Sequence, residues 1–81
     1  MINCSDYDYV EIACMHRYPV RLSMKNGDII EGTALDTARN EAKAECIKIS
    51  ESSGERLVEL DQIARMEVLT TNPHFDTKVF S

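Results

Sequence analysis

Basic residues are scarce in this chain, and their scarcity limits the classes of partner. The sequence has nine lysines and arginines against 14 aspartates and glutamates, for a net charge of −5 and a pI of about 4.9. Contact with a phosphate backbone requires clustered basic side chains, so this balance argues against direct binding of nucleic acid and favours a basic partner. Long apolar runs are also absent. None approaches the roughly 20 residues that span a bilayer, and we expect no membrane contact.

The residue patterns of catalytic, cofactor and metal sites are missing as well. The three glycines are scattered through the chain, which excludes a glycine-rich phosphate loop. The only histidines are His16 and His74, and neither forms a recognisable nucleophile–base pair with a serine. Cys4, Cys14 and His16 lack the paired, close-set spacing of a structural zinc site. We therefore expect a protein that is not an enzyme and that holds no cofactor or metal.

The composition fits one small domain that spans residues 1–81. Hydrophobic residues make up 43% of the chain, which is ordinary for a globular fold. An odd number of cysteines without a signal peptide predicts reduced thiols and a cytoplasmic location. Cys14 and Cys46 lie in apolar patterns, so we expect both in the core.

Residues 4–17 hold the acidic segment of the chain and have the pattern of an N-terminal helix. Ser5 suits the N-cap, Asp8 takes the place of a capping-box acid, and Pro19 is a plausible stop. Side chains that recur at helical spacing predict a buried stripe, formed by Tyr7, Val10 and Cys14. A different face carries Asp8, Glu11 and Met15. The helix is thus expected to expose an acidic surface, although acids in a first turn also interact favourably with the helix dipole alone.

Alternating residues predict short strands after the helix. The first strand has three apolar residues at alternate positions, namely Val20, Leu22 and Met24. Asn26-Gly27 is a strong hairpin signal, because both residues tolerate positive φ in a tight turn. A second strand is expected from 28 to 36, with Ile30 and Ala34 directed inward. Gly32 in its middle indicates a sharp bend or a close backbone approach.

The remaining segments complete a mainly β fold. They are, in order, a polar loop at 37–44, strands near 44–50, 57–60 and 63–69, and a tail at 70–81. The tail has few core candidates and is expected to be loosely held, unless Phe75, Val79 or Phe80 anchors it. One helix followed by about five or more short strands with hairpin-length links predicts a strongly bent antiparallel sheet or small barrel. The helix would cover one opening of that barrel.

Two stretches of the chain resemble known families. The spacing Val-x-Leu-x-Met-x-x-Gly-x-x-Ile-x-Gly-x-Ala at 20–34 resembles the first motif of Sm-like proteins, in which a bent strand with a glycine follows a hairpin. The opening segment at 2–16 carries two cysteines, an Asp-Tyr-Asp triplet and a histidine, and is similar to the opening of the Rof (YaeO) family. Members of this family are bacterial inhibitors of Rho-dependent transcription termination. The likeness continues through the Lys-Asn-Gly-Asp hairpin at 25–28 to about Leu69.

The Rof resemblance implies a Sm-like fold, a protein partner and a set of contact residues. The partner is the N-terminal oligonucleotide-binding domain of the Rho hexamer, whose primary RNA site these proteins block. The implied contact residues are Asp6, Asp8 and Glu11 of the acidic motif, with Arg39 and Asn40 of the loop after the second strand. Tyr9 either packs in the core or offers the partner an aromatic surface. A site that holds RNA is electropositive, so a small acidic protein is suited to occupy it by charge complementarity.

A second class of function remains open from the residues. A Sm-like protein can act as an oligomeric ring that binds RNA, which requires strand edges that pair between subunits and a basic RNA surface. The acidic balance of this chain favours instead a monomer that binds a protein. Size-exclusion mass together with RNA binding distinguishes the two classes.

Overall fold

One helix precedes a single antiparallel sheet in this chain. The computed structural model describes the backbone of residues 4–71 and 77–79, with the side chains of 7–71, 77 and 79. The elements are α1 (Cys4–Met15), β1 (Pro19–Met24), β2 (Ile29–Arg39), β3 (Glu45–Glu51), β4 (Gly54–Glu59), a 3₁₀ turn (Leu60–Gln62), β5 (Ile63–Val68) and β6 (Thr77–Val79). The strands form one sheet in the order β4-β3-β2-β1-β5-β6. The predicted mainly β fold with an N-terminal helix is confirmed.

The order of the strands requires the sheet to curl. β4 and β5 stand four places apart in the sheet, a distance of roughly 19 Å in a flat sheet at about 4.8 Å per strand. The turn Leu60–Gln62 joins them directly, and a link of four residue steps reaches at most about 14 Å. The sheet must therefore bend until β4 approaches β5. At this corner the backbone N–H of Lys25 donates to the carbonyl oxygen of Gln62 at 2.8 Å.

Gly32 and a bulge contribute to the bend of β2. A Cβ atom at Gly32 would overlap the side chain of Ile49 and would lie 2.5 Å from the carbonyl oxygen of Ser50. The close backbone approach predicted at this glycine is therefore present. The register with β3 then shifts at Leu35, and such an extra residue increases the local twist of a strand.

The hairpin between β1 and β2 has a longer turn than its sequence signal predicted. The N–H of Gly27 donates to the carbonyl oxygen of Met24 at 3.0 Å, and the N–H of Met24 donates to that of Asp28 at 2.8 Å. The loop thus has three residues, 25–27, and only Gly27 has a positive φ, 96°. Asn26 tolerates a positive φ but does not adopt one here, because a three-residue hairpin needs that conformation only at its last position. The side chain of Asn26 instead accepts from the N–H of Asp28 at 3.0 Å.

The C-terminus of α1 has a Schellman motif with an arginine in the place usually taken by glycine. The N–H of Tyr18 donates to the carbonyl oxygen of Ala13 at 3.0 Å. The N–H of Arg17 donates to the carbonyl oxygen of Cys14 at 3.2 Å. Arg17 adopts the left-handed conformation that this pattern requires, with φ 53°. The helix ends at Met15 because the chain turns there.

The expected N-cap and two expected strand boundaries were wrong. α1 begins at Cys4, so Ser5 lies inside its first turn and is not the N-cap. β2 continues to Arg39, because pairing with β3 resumes after the bulge. The expected loop at 37–44 is thereby shortened to 40–44. β4 begins at Gly54 and not near residue 57, because its pairing with β3 extends to Gly54, which lies opposite Glu51.

The C-terminal segment contains a strand that the sequence did not indicate. Thr77–Val79 form β6, which pairs antiparallel with β5 along Arg65, Met66 and Glu67. Phe75 and Phe80 lie outside the described residues. The expected loose attachment of residues 70–81 stays a prediction.

The core lies between α1 and the sheet. α1 packs mainly against β2, and Val10 and Ala13 are fully buried. Several strand and turn residues are fully or almost fully buried with them, including Val20, Leu22, Ala34, Ile47, Ile49, Leu60, Ile63 and Met66. Cys14 and Cys46 are buried as predicted, and both are free thiols. Within the part of the chain that the structure describes, no helix is long and apolar enough to cross a membrane.

Candidate protein-binding surface

The two faces of α1 separate burial from charge as the sequence predicted. Val10 and Cys14 are buried, and Tyr7 is partly buried against the same core. Asp8 and Glu11 are exposed. Met15, next along their face, is 72% exposed. Because the buried stripe fixes the rotation of the helix, the acidic side chains are held outward.

A third carboxylate from β2 joins this face. Asp36 is exposed and lines a groove of about 270 Å³ between α1 and β2. The other residues of the groove are Glu11, Cys14, Met15, Arg17 and Thr37. The carboxylate of Asp36 accepts a hydrogen bond from the backbone N–H of Thr37 at 2.8 Å. We call Asp8, Glu11 and Asp36 together the acidic face.

Sequence reasoning missed Asp36. An acid near the end of a predicted strand carries no signal of its own. Its position beside α1 depends on the packing of the helix on β2 and on the register shift at Leu35. Both are tertiary features that no local pattern in the chain encodes.

The charge of the acidic face also affects the thiol beneath it. The pKa of Cys14 is raised to about 11, chiefly by burial and next by the carboxylate of Asp36. Arg17 lowers it, and Glu11 raises it by a smaller amount. The thiol is therefore neutral at physiological pH. A neutral, buried thiol is a packing residue and not a nucleophile.

Tyr9 lies at the edge of the core. Its side chain is partly buried and packs against the buried cluster. The structure thus favours the packing interpretation for part of the ring and leaves the rest of it accessible. The side chain of Asp6, the first acid of the motif, lies outside the described residues.

Arg39 stands at the end of β2 with its side chain 65% exposed. Its Nη1 donates to the carbonyl oxygen of Lys43 at 3.0 Å, and its Nη2 lies 3.7 Å from Oε1 of Glu45. These contacts direct the guanidinium along the loop at 40–44. The exposed part of the Arg39 side chain remains able to contact a partner.

Asn40 is partly buried, and its amide bonds to other residues of the chain. Its Oδ1 accepts from the N–H of Ala44 at 3.0 Å, and its Nδ2 donates to Oε1 of Glu59 at 2.9 Å. Both polar atoms of the amide therefore have partners within the chain. The sequence implied Asn40 as a contact residue, whereas its observed bonds are those of a residue that organises the loop.

The acidic face and the loop lie along the same strand. Thr37 lines the groove beside Glu11, and Arg39 follows two residues later, about 7 Å farther along an extended strand. Asp36 and Arg39 are three residues apart in this regular stretch, so their side chains point to opposite sides of β2. The groove and the loop are therefore neighbours along the strand.

The described residues contain no cluster suited to a metal ion. Within them, no group of three or more His, Cys, Asp or Glu side chains is arranged to hold one. Every buried side-chain nitrogen and oxygen described has a hydrogen-bond partner.

A strongly bent antiparallel sheet with an N-terminal helix defines a Sm-like protein, and the outward acids make its helix side a negatively charged surface. A protein from Xanthomonas campestris described as adopting a novel variant of the Sm-like motif has the same fold, with a TM-score of 0.55 at 20% identity, over 79% of this chain and 81% of that one. The family model of the modulators of Rho-dependent transcription termination (ROF) matches residues 1–80. This chain belongs to that family.

Individual relatives agree with the family assignment. The protein named rof of Escherichia coli K12 is 30% identical over 80 residues, which cover 99% of this chain and 89% of that protein. The rof protein of Shigella flexneri matches to the same extent. A solved structure of YaeO from Vibrio cholerae O395, described as bound to magnesium, has a TM-score of 0.89 at 44% identity, over 93% of this chain and 97% of that one. The resemblance seen in the sequence is confirmed.

Proposed function

We propose that this chain inhibits Rho-dependent termination by binding the N-terminal oligonucleotide-binding domain of Rho and blocking its primary RNA site. The free protein acts as a monomer in the cytoplasm, without catalysis and without binding nucleic acid itself. The proposed binding surface consists of Asp6, Asp8, Tyr9, Glu11, Arg39 and Asn40, with Asp36 added from the groove. Asn40 belongs to it through the loop next to Arg39.

The observation that carries this proposal is the acidic face. Asp8 and Glu11 are exposed on a helix that cannot rotate, because Val10 and Ala13 on its other side are fully buried. Such a fixed pair of carboxylates is preorganised for a basic surface and loses little entropy on binding. An RNA site supplies that basic surface, since it must bind a polyanion.

The edges of the sheet support a monomeric protein binder over the RNA-binding ring. Strand pairing between subunits needs two accessible edges, and the order of the strands makes β4 and β6 the edges. β6 has three residues, Thr77–Val79, and so short an edge strand offers few hydrogen bonds to a neighbour. The net charge of −5 also opposes an RNA surface.

Charge reversal on the helix tests the proposal. The variant Asp8→Lys/Glu11→Lys should bind purified Rho at least about 30-fold more weakly, because two basic side chains then face the cations of the RNA site. Wild-type protein should compete with a single-stranded RNA oligonucleotide for Rho, and its affinity should fall with added salt. Binding is measured by fluorescence anisotropy, and folding is checked by circular dichroism.

The single variant Glu55→Lys is the matched control for each single reversal. Glu55 is exposed on β4, and its reversal changes the net charge by the same amount as Asp8→Lys or Glu11→Lys. It should change the affinity for Rho little. If the folded double variant binds Rho as well as the wild type, the helix is not the contact surface. The loop with Arg39 would then be the leading candidate.

A further inference from the structure

The loop at 40–44 is organised by one side chain. The amide of Asn40 closes the loop on itself through the N–H of Ala44 and reaches outside it to Glu59 on β4, at 3.0 Å and 2.9 Å respectively. The backbone of Asn40 adds two more bonds, donating to the carbonyl oxygen of Ala44 at 3.2 Å and accepting from the N–H of Lys43 at 2.8 Å. The loop conformation therefore depends on where this amide is held.

Arg39 takes its position from the same loop. Its Nη1 donates to the carbonyl oxygen of Lys43 at 3.0 Å, and Lys43 has a positive φ of 63°. A lysine adopts this conformation only when its surroundings impose it. The N–H of Lys43 bonds to Asn40, so the direction of the guanidinium depends on Asn40 through Lys43.

Glu59 is the point at which the loop is attached to the rest of the sheet by a side chain. Glu59 is the last residue of β4 and pairs with Cys46 of β3. Its carboxylate raises the pKa of the buried Cys46 thiol, after the larger effect of burial, so the carboxylate is held close to the sheet. A hydrogen bond to a carboxylate is stronger than one between neutral groups.

We propose that Glu59 is a positioning residue of the Rho-binding surface: it holds Asn40, and Asn40 in turn holds the loop that presents Arg39. This inference rests on the function proposed above and assigns residues within it. Asn40 acts by shaping the loop, and the direct contact belongs to Arg39. The residue type at 40 follows from this role, because an amide both accepts from Ala44 and donates to Glu59. An aspartate there would place two carboxylates against each other.

A double-mutant cycle tests the proposal with purified Rho. Glu59→Ala, Asn40→Ala and the combined variant are compared with the wild type. Each single variant should lose about tenfold in affinity, and the combined variant should lose little more, because both remove the same support. Glu59→Gln keeps the accepting oxygen and should restore most of the affinity. Glu55→Ala, which removes an exposed carboxylate from the same strand, should bind as the wild type does.

Amide hydrogen exchange gives a readout that does not involve Rho. In Glu59→Ala the N–H groups of Lys43 and Ala44 should exchange faster, while those of the central strands keep their protection and the urea midpoint changes little. Protection retained at both residues would overturn the positioning role.

The outcomes separate this inference from the proposed function. If Asn40→Ala weakens binding while Glu59→Ala binds normally, Asn40 contacts Rho itself and the inference is wrong, although the proposed function stands. Additive losses in the cycle would also contradict it. If the wild type fails to bind Rho, the proposed function falls, and the role of the loop in Rho binding falls with it.

Discussion

The close approach of β2 to β3 at Gly32 leads to a prediction about stability. Gly32 has no side chain, and a Cβ placed there would overlap Ile49 and lie 2.5 Å from the carbonyl oxygen of Ser50. Ile49 is fully buried, and the carbonyl belongs to the backbone of β3, so neither neighbour is free to move aside. Any side chain at position 32 must therefore push the two strands apart.

The magnitude follows from two opposing effects. Replacing glycine by alanine in an extended strand normally stabilises a protein by about 0.4–1 kcal/mol, because the unfolded chain loses freedom. Overpacking a core costs about 1–3 kcal/mol. The new Cβ would overlap two fixed neighbours, which places the cost in the upper half of this range, about 2–3 kcal/mol. We therefore expect Gly32→Ala to lower the free energy of unfolding by about 1–2.5 kcal/mol. Gly32→Val should lower it by up to about 3 kcal/mol, because its branched methyl groups add to the overlap.

Urea denaturation followed by circular dichroism measures both changes, and a loss of 1 kcal/mol should lower the melting temperature by about 4–8 °C in a domain of this size. Gly27→Ala is the contrasting control. Gly27 has a positive φ but no atom within 4 Å of its Cβ position. The stability lost in Gly27→Ala therefore arises from backbone conformation alone, and Gly27→Asn should lose less stability. Gly32→Asn should recover no stability relative to Gly32→Ala. An unchanged urea midpoint for Gly32→Val would refute the steric argument.

Two further predictions concern the helix and its C-terminus. A pKa of Cys14 near 11 in the fold, against 9.0 for an ordinary thiol, means that folding favours the neutral form. This stabilisation is complete below pH 9 and is lost as pH rises through 11. The wild type should therefore lose on the order of 2 kcal/mol more than Cys14→Ala over that range in urea titrations, and parallel pH profiles would contradict this. Arg17→Gly should raise the melting temperature by a few degrees, since glycine adopts the left-handed conformation freely. Arg17→Ala keeps the backbone strain and should not raise the melting temperature. A rise in both variants would instead indicate an effect of the lost charge.

Local patterns were sufficient for much of the fold. Alternation at 20–24 placed Val20 and Leu22 in the core, because a strand with one buried face repeats every two residues. Helical spacing separated Val10 and Cys14 from the acids on the other face. Gly32 indicated the close approach between strands. Each of these features depends on neighbours within about one turn or one strand of the chain.

The residues that sequence reasoning missed depend on distant contacts. Asp36 joins the acidic face only because α1 packs on β2. Glu59 bonds to Asn40 across 19 residues of sequence, and its position on an ordinary strand gave no indication of that role. The strand Thr77–Val79 forms because β5 offers an edge, and its own three residues carry too little pattern to predict it.

The distribution of ion pairs explains how a Sm-like sheet can present an acidic surface. Four arginines of the described residues pair with glutamates on the sheet, namely Arg21, Arg39, Arg56 and Arg65. Their charges are thereby neutralised locally and are poorly available to phosphates. Within the described part of the chain, no basic side chain forms a salt bridge with Asp8 or Glu11, so the charges of these two carboxylates stay available to a partner. Exposed carboxylates of this kind increase the rate at which a protein associates with a basic partner, and that is the property the proposed function requires of α1.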